Sequence, residues 1–200
     1  MNHVKNLDFL SSERARVRLL GIIAHAQSVL QQQILPLRPP PHWDLFCNQF
    51  DCIAARYKFF VLEGRSRTGK TYFVRNHTGN PADVYQMNCA SGAEPDLREF
   101  NWFVHTTVLF DEAHPDMVLK QRLLFQSQPA MVRLGMSTTN CHSYEVCLFQ
   151  KKLVICANGW SRQVQGLRDS GRVDDADWLV ANSFHADIGN YKLFEEHINV

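Results

Sequence analysis

Lys58-Phe59-Phe60-Val61-Leu62-Glu63-Gly64-Arg65-Ser66-Arg67-Thr68-Gly69-Lys70-Thr71 runs an apolar, strand-like segment into a loop bracketed by two glycines. Residues 64–71 satisfy G-x-x-x-x-G-K-[ST] at every fixed position. The residue types imply a mechanism. Gly64 and Gly69 let the backbone curl so that the N–H groups of Gly64, Arg65, Ser66, Arg67, Thr68, Gly69, Lys70 and Thr71 can cradle phosphate oxygens. Lys70 then reaches the outer phosphates, and the Thr71 hydroxyl suits Mg²⁺. A helix over 70–76 should follow, with its N-terminus facing the anion. The expected ligand is a nucleoside triphosphate.

Outward from this stretch, the chain alternates strand and helix signals. Val84–Met87, Thr106–Phe110 and Leu153–Ala157 read as strands, the last two as continuous apolar runs. Helices are expected from Trp43 to Arg56, Pro95 to Phe103, Asp116–Phe125 and Asp174–Val180. Residues 130–149 suggest a hairpin with Ser137–His142 at its tip. Residues beyond Trp160 read first as polar, arginine-bearing turns. Strands that are apolar on both faces, separated by helices, imply an α/β fold with a mainly parallel sheet between helical layers. Ahead of it, Ser11 and Ser12 can cap an amphipathic helix over 13–34, and Pro36, Pro39, Pro40 and Pro41 stop it. The expected organisation is an N-terminal helical segment and proline-rich linker over 1–41, then one domain over 42–200. Arg14, Arg16 and Arg18 sit poorly with the helix dipole and face either solvent or a partner.

Lys plus Arg (21) nearly balances Asp plus Glu (20), so overall basicity is not the source of any nucleic-acid affinity. No apolar run reaches the length of a membrane span, and the N-terminus has no charged-then-apolar leader pattern. Cysteines at 47, 52, 89, 141, 147 and 156 lack paired metal-ligand spacing, Cys141, His142 and Cys147 included. Reduced thiols inside a cell, in cytoplasm or nucleus, are the expectation.

Two further segments complete a hydrolytic site. Val108-Leu109-Phe110-Asp111-Glu112 delivers two carboxylates at the end of a buried strand, where α/β sheets bind ligands. Asp111 suits Mg²⁺ and Glu112 suits a general base for water. An acidic pair that only caps a helix is the structural alternative. Leu153-Val154-Ile155-Cys156-Ala157-Asn158 ends in a neutral amide able to hold water and the terminal phosphate. A turn-forming Asn158-Gly159 explains the same residues.

GRSRTGKT at 64–71, VLFDEA at 108–113 and LVICAN at 153–158 together resemble the superfamily 3 helicases. That family includes the replication initiator (Rep) proteins of small single-stranded DNA viruses and plasmids, and the picornavirus-type ATPases. The resemblance spans about residues 58–160. It implies a P-loop NTPase three-layer sandwich, AAA+-like, with strand order 5-1-4-3-2. It also implies ATP and Mg²⁺ as cofactors, single-stranded nucleic acid as partner and a homo-oligomeric ring; for a viral replication protein the compartment would be the host nucleus. In such a ring an arginine beyond the sensor serves the neighbouring site, which makes Arg168 and Arg172 catalytic candidates and Arg162 a weaker one. The family's basic loop falls here between Leu123 and Gln150, where Arg133 and His142 are the cations and lysine is missing. Trp102, His105, Lys151, Lys152 and Trp160 could touch nucleic acid or simply pack. His3, His25 and His42 are isolated and match no nicking domain, so the chain should not nick DNA alone. Nucleic-acid unwinding or remodelling driven by Mg²⁺-dependent ATP hydrolysis is thus the first expectation. An ATPase that remodels a protein is the second, and a P-loop small-molecule kinase the third.

Overall fold

Residues 37–78, 80–90, 94–135 and 143–194 are described by the computed structural model. Leu37–Glu195 forms one compact unit. The expected helix over 13–34 and the hairpin tip at 137–142 lie outside the described residues.

Five strands build the main sheet: β1 (Phe59–Glu63), β2 (Val84–Asn88), β3 (Thr107–Asp111), β6 (Lys152–Ala157) and β7 (Ser183–Asp187). They lie in the order β2-β3-β6-β1-β7, every pair parallel. Numbered along the chain and read from the β7 edge, that is 5-1-4-3-2, the order the resemblance implies. Strands β4 (Val132–Leu134) and β5 (Tyr144–Val146) form a separate antiparallel pair, as the hairpin reading expects.

Side-chain alternation sends the sheet into two cores. Phe60, Leu62, Leu109, Val154 and Cys156 face a layer made by Trp43 and Phe46 of α1 (Trp43–Asn48) and Phe73 and Val74 of α2 (Lys70–His77). Phe59, Val61, Val108, Phe110, Leu153 and Ile155 face the other layer, which contains α3 (Pro115–Lys120), α4 (Arg122–Phe125), α5 (Trp160–Asp169) and α6 (Val173–Ala181). The result is a three-layer sandwich with a mainly parallel sheet. Among the described residues, no helix is long and apolar enough to cross a membrane.

Several sequence expectations are corrected. The helix expected from Trp43 to Arg56 stops at Asn48 and passes into a 3₁₀ turn at Gln49–Asp51. The Gln49 side chain bonds both the N–H and the carbonyl of Lys58, at 2.8 Å each, and folds the chain back. Ile53, within that expected helix, is 83% exposed. Pro95–Phe103 is not helical. There Asp96 accepts from the Arg98 N–H and Asn101 from the Phe103 N–H, local turns that compete with a helix. The 116–125 helix is split at Gln121, whose backbone leaves the helical region at φ −116° and ψ 38°. The polar turns expected after Trp160 are in fact α5, and β7 appears where no strand was expected. The proline linker is partly packed, with Leu37 bridging Phe194 and the Arg38 N–H donating to Leu193.

Candidate nucleotide site at the strand ends

Strands β1, β3 and β6 are neighbours, so the segments that leave their carboxyl ends meet at one edge of the sheet. Gly64 follows β1, Asp111 ends β3 and Asn158 follows β6. Backbone bonds fix the three exits to one another: the Gly64 N–H donates to Ala157, and the Glu112 N–H to Cys156.

The loop closes on Gly69, whose φ of 87° lies in the left-handed region, and α2 starts at the next residue. A Cβ on Gly69 would lie 2.6 Å from the Phe194 ring, and one on Gly64 would lie 2.5 Å from Ile188. Both glycines are therefore needed for space, because the segment after β7 straps the loop from outside. Its carbonyl at Gly189 takes the Arg65 N–H, and its Leu193 N–H donates to Thr68. No acceptor is found among the described residues for the N–H groups of Ser66 through Thr71. A curled backbone with free donors at the start of a helix is suited to an anion.

Lys70 is buried, and its ammonium donates to Gly64 O (2.9 Å), Arg65 O (3.0 Å) and Asn158 Oδ1 (2.7 Å). Asn158 spends its other end on Glu112, Nδ2 donating to Oε1 at 2.6 Å. Thr71 donates its hydroxyl to Asp111 Oδ2 at 3.2 Å. Burial pushes the Glu112 carboxyl up, against the pull of Lys70 and the Asn158 hydrogen bond, while Asp111 adds to the rise. Glu112 also holds a φ of 59°, unusual for a residue with a side chain. The cavity in front of these groups has a volume of about 310 Å³ and is lined by Ser66–Tyr72, Asp111 and Glu112.

A hydroxyl bonded to a carboxylate oxygen is the hard-oxygen pair that Mg²⁺ takes from protein, with phosphates and water supplying the rest. Thr71 and Asp111 therefore fit that ion. Among the described residues, no group of three or more His, Cys, Asp or Glu side chains could cage a metal by itself.

Arg168 and Arg172 do not line this cavity. Arg168 pairs with Asp177 at 3.0 Å, and Arg172 with Asp116 at 2.7 Å and Asp175 at 2.8 Å. Arg162 is exposed on the first turn of α5. In the hairpin, Arg133 faces Glu145 at 3.3 Å, and His142 lies outside the described residues. Lys151 is buried, donates to Trp102 O at 2.5 Å and lies over the Trp102 ring, and Trp160 is core. These two are structural. Among residues the sequence did not single out, Gln86 on β2 donates to the same Asp111 oxygen at 3.4 Å. Glu63, directly before Gly64, is buried against Ser161 and His185. Its position beside the loop was the available signal; Gln86 had none.

Neither a family model nor a curated protein matches the chain. Among solved structures, it is similar to Hsp104 in a closed-state cryo-EM reconstruction with ATPyS and FITC casein. That match has a TM-score of 0.39 and 12% identity, covering 66% of this chain and 29% of that one. It is also similar to the A-form apo structure of the NrS-1 C-terminal region, with a TM-score of 0.32, 12% identity and coverage of 74% and 46%. The chain thus spans less than half the length of either, and at these scores neither likeness bears on function.

Proposed function

We propose that the chain is a Mg²⁺-dependent nucleoside triphosphatase acting on ATP. The observation that carries this reading is the continuous polar path from Lys70 through Asn158 to Glu112, with Thr71 and Asp111 paired beside it. Two segments far apart in sequence line one cavity, and a third joins them through Asn158, which bonds Lys70 and Glu112. The free N–H groups of the loop and Lys70 bind the phosphates. Thr71 and Asp111 hold Mg²⁺, which offsets phosphate charge when bound. Glu112 Oε2 carries no bond among the described residues and is free to take a proton from water as that water's oxygen attacks the terminal phosphorus. The bond to the leaving diphosphate then breaks, and the diphosphate keeps the electron pair. Asn158 holds Glu112 through its other oxygen.

The finer reading is a ring-forming ATPase that remodels or unwinds single-stranded nucleic acid, with Arg168 or Arg172 offered to a neighbouring subunit. Motif order and sheet order support it, and each arginine would have to leave its present carboxylate partner. The test is phosphate release with and without single-stranded DNA, read beside the molecular mass in ATP. Lys70→Ala should lose ATP binding and turnover. Glu112→Gln should bind ATP and turn over at least about 100-fold more slowly. Unchanged turnover in Glu112→Gln would remove the proposed base. Absence of single-stranded DNA binding at low salt would move the target from nucleic acid to protein.

A further inference from the structure

Lys70, the cation that should grip the outer phosphates, is turned inward. Its three protons are spent on Gly64 O, Arg65 O and Asn158 Oδ1. Of the charged groups lining the cavity, Asp111 and Glu112 repel an incoming triphosphate. That leaves Arg67. It lines the same cavity, is exposed, and has no carboxylate partner among the described residues. Its backbone sits at φ 64°, a conformation that glycine would adopt without strain and that a long side chain rarely takes. Strain of this kind persists where surrounding structure imposes it, and it clusters at sites that hold or admit ligands.

We propose that Arg67 is the capture residue of the loop: its guanidinium makes the first contact with the triphosphate, before Lys70 exchanges its protein acceptors for phosphate oxygens. The inference rests on the triphosphatase reading and adds an order of events to it. Two cations and two carboxylates line the mouth and cancel, so removing Arg67 leaves an excess of negative charge facing an approaching anion. Once the anion is seated, the loop N–H groups and Lys70 carry most of the grip. Arg67 therefore governs arrival more than departure. A guanidinium also suits this task because its flat fork matches two phosphate oxygens at once.

Stopped-flow binding of a fluorescent ATP analogue with Mg²⁺, on the full chain, tests this. Arg67→Gly suits the local φ and should fold. It should lower the association rate constant by about fivefold or more at low salt and flatten its dependence on ionic strength, with a smaller change in dissociation. Arg67→Lys keeps the charge and should recover most of the rate. Wild-type association rate and salt slope in Arg67→Gly would overturn the capture role, as would an Arg67→Lys variant as slow as Arg67→Gly. Displacement of the analogue by inorganic tripolyphosphate from the wild-type chain separates the two layers. If it occurs while Arg67→Gly binds at the wild-type rate, only the capture role falls. If the wild-type chain binds no analogue, the triphosphatase reading falls with it.

Discussion

Glu63 and Glu112 leave the same edge of the sheet, yet they are spent in opposite ways. Glu63 ends β1 and is 7% exposed. Both its oxygens accept from the Ser161 N–H, at 3.1 and 3.0 Å, and Oε2 also accepts from the Ser161 hydroxyl at 2.5 Å and faces His185 Nε2 at 2.8 Å. It sits at the N-terminus of α5, where the helix dipole favours a negative charge. Glu112 accepts one side-chain bond, from Asn158, and opens onto the cavity on a left-handed backbone. Burial alone would have singled out Glu63, which does not line the cavity. A group with both oxygens engaged holds structure together, whereas one with an oxygen left over beside a phosphate loop can do chemistry.

Substitution by the isosteric amide should separate them most. Glu112→Gln should lose turnover by about 100-fold or more while its Tm stays within about 2 °C of wild type. Glu63→Gln replaces an acceptor with a donor against the Ser161 N–H, at a cost of about 1–3 kcal/mol. Its Tm should fall by about 3–10 °C, with turnover well below the melt within about twofold of wild type. Phosphate release and thermal melts on both variants check this, and equal losses of turnover would erase the distinction.

The second contrast is in pH. Because burial raises the Glu112 carboxyl, it takes up a proton at higher pH than an ordinary glutamate with a value of 4.5. Only the deprotonated form can accept a proton from water. Turnover should therefore decline on the acid side from a pH above that value, by roughly tenfold per unit once below the limb. Asn158→Ala removes a hydrogen bond that favours the charged form, so its acid limb should move further up. A limb at or below 4.5 in the wild type would contradict Glu112 as the base.

What the sequence revealed follows the same division. The loop, β3 and β6 were legible because buried parallel strands are continuous apolar runs and the loop's residue types are dictated by its geometry. Even the sheet order agreed with the resemblance. Helix α5 was missed although Trp160, Val164 and Leu167 face the core at helical spacing. Its polar remainder and Gly166 hid the pattern. Strand β7 was missed because it lies at the sheet edge and, of its five residues, only Ala186 is buried. The 95–103 segment was misread as a helix because its Asp96 and Asn101 turns won locally. Gln86 and the strap of Ile188–Phe194 act through tertiary approach, which no local pattern records.

Ser161→Ala is the smallest perturbation that still tests the comparison. It deletes one hydroxyl bond to Glu63 but leaves both bonds from the Ser161 N–H and the contact with His185. The loss should cost about 1 kcal/mol, lowering Tm by about 2–4 °C. Turnover should not move, because Glu63 anchors α5 and does not face the cavity. Helix α5 begins two residues after Asn158, however, so Ser161 is a route by which the Glu63 side chain could influence the amide that holds Glu112. A fall in turnover at a temperature where Ser161→Ala is fully folded would mean that the saturated carboxylate positions the active one. An unchanged rate with a lowered melt keeps the two carboxylates functionally separate although they share one edge of the sheet.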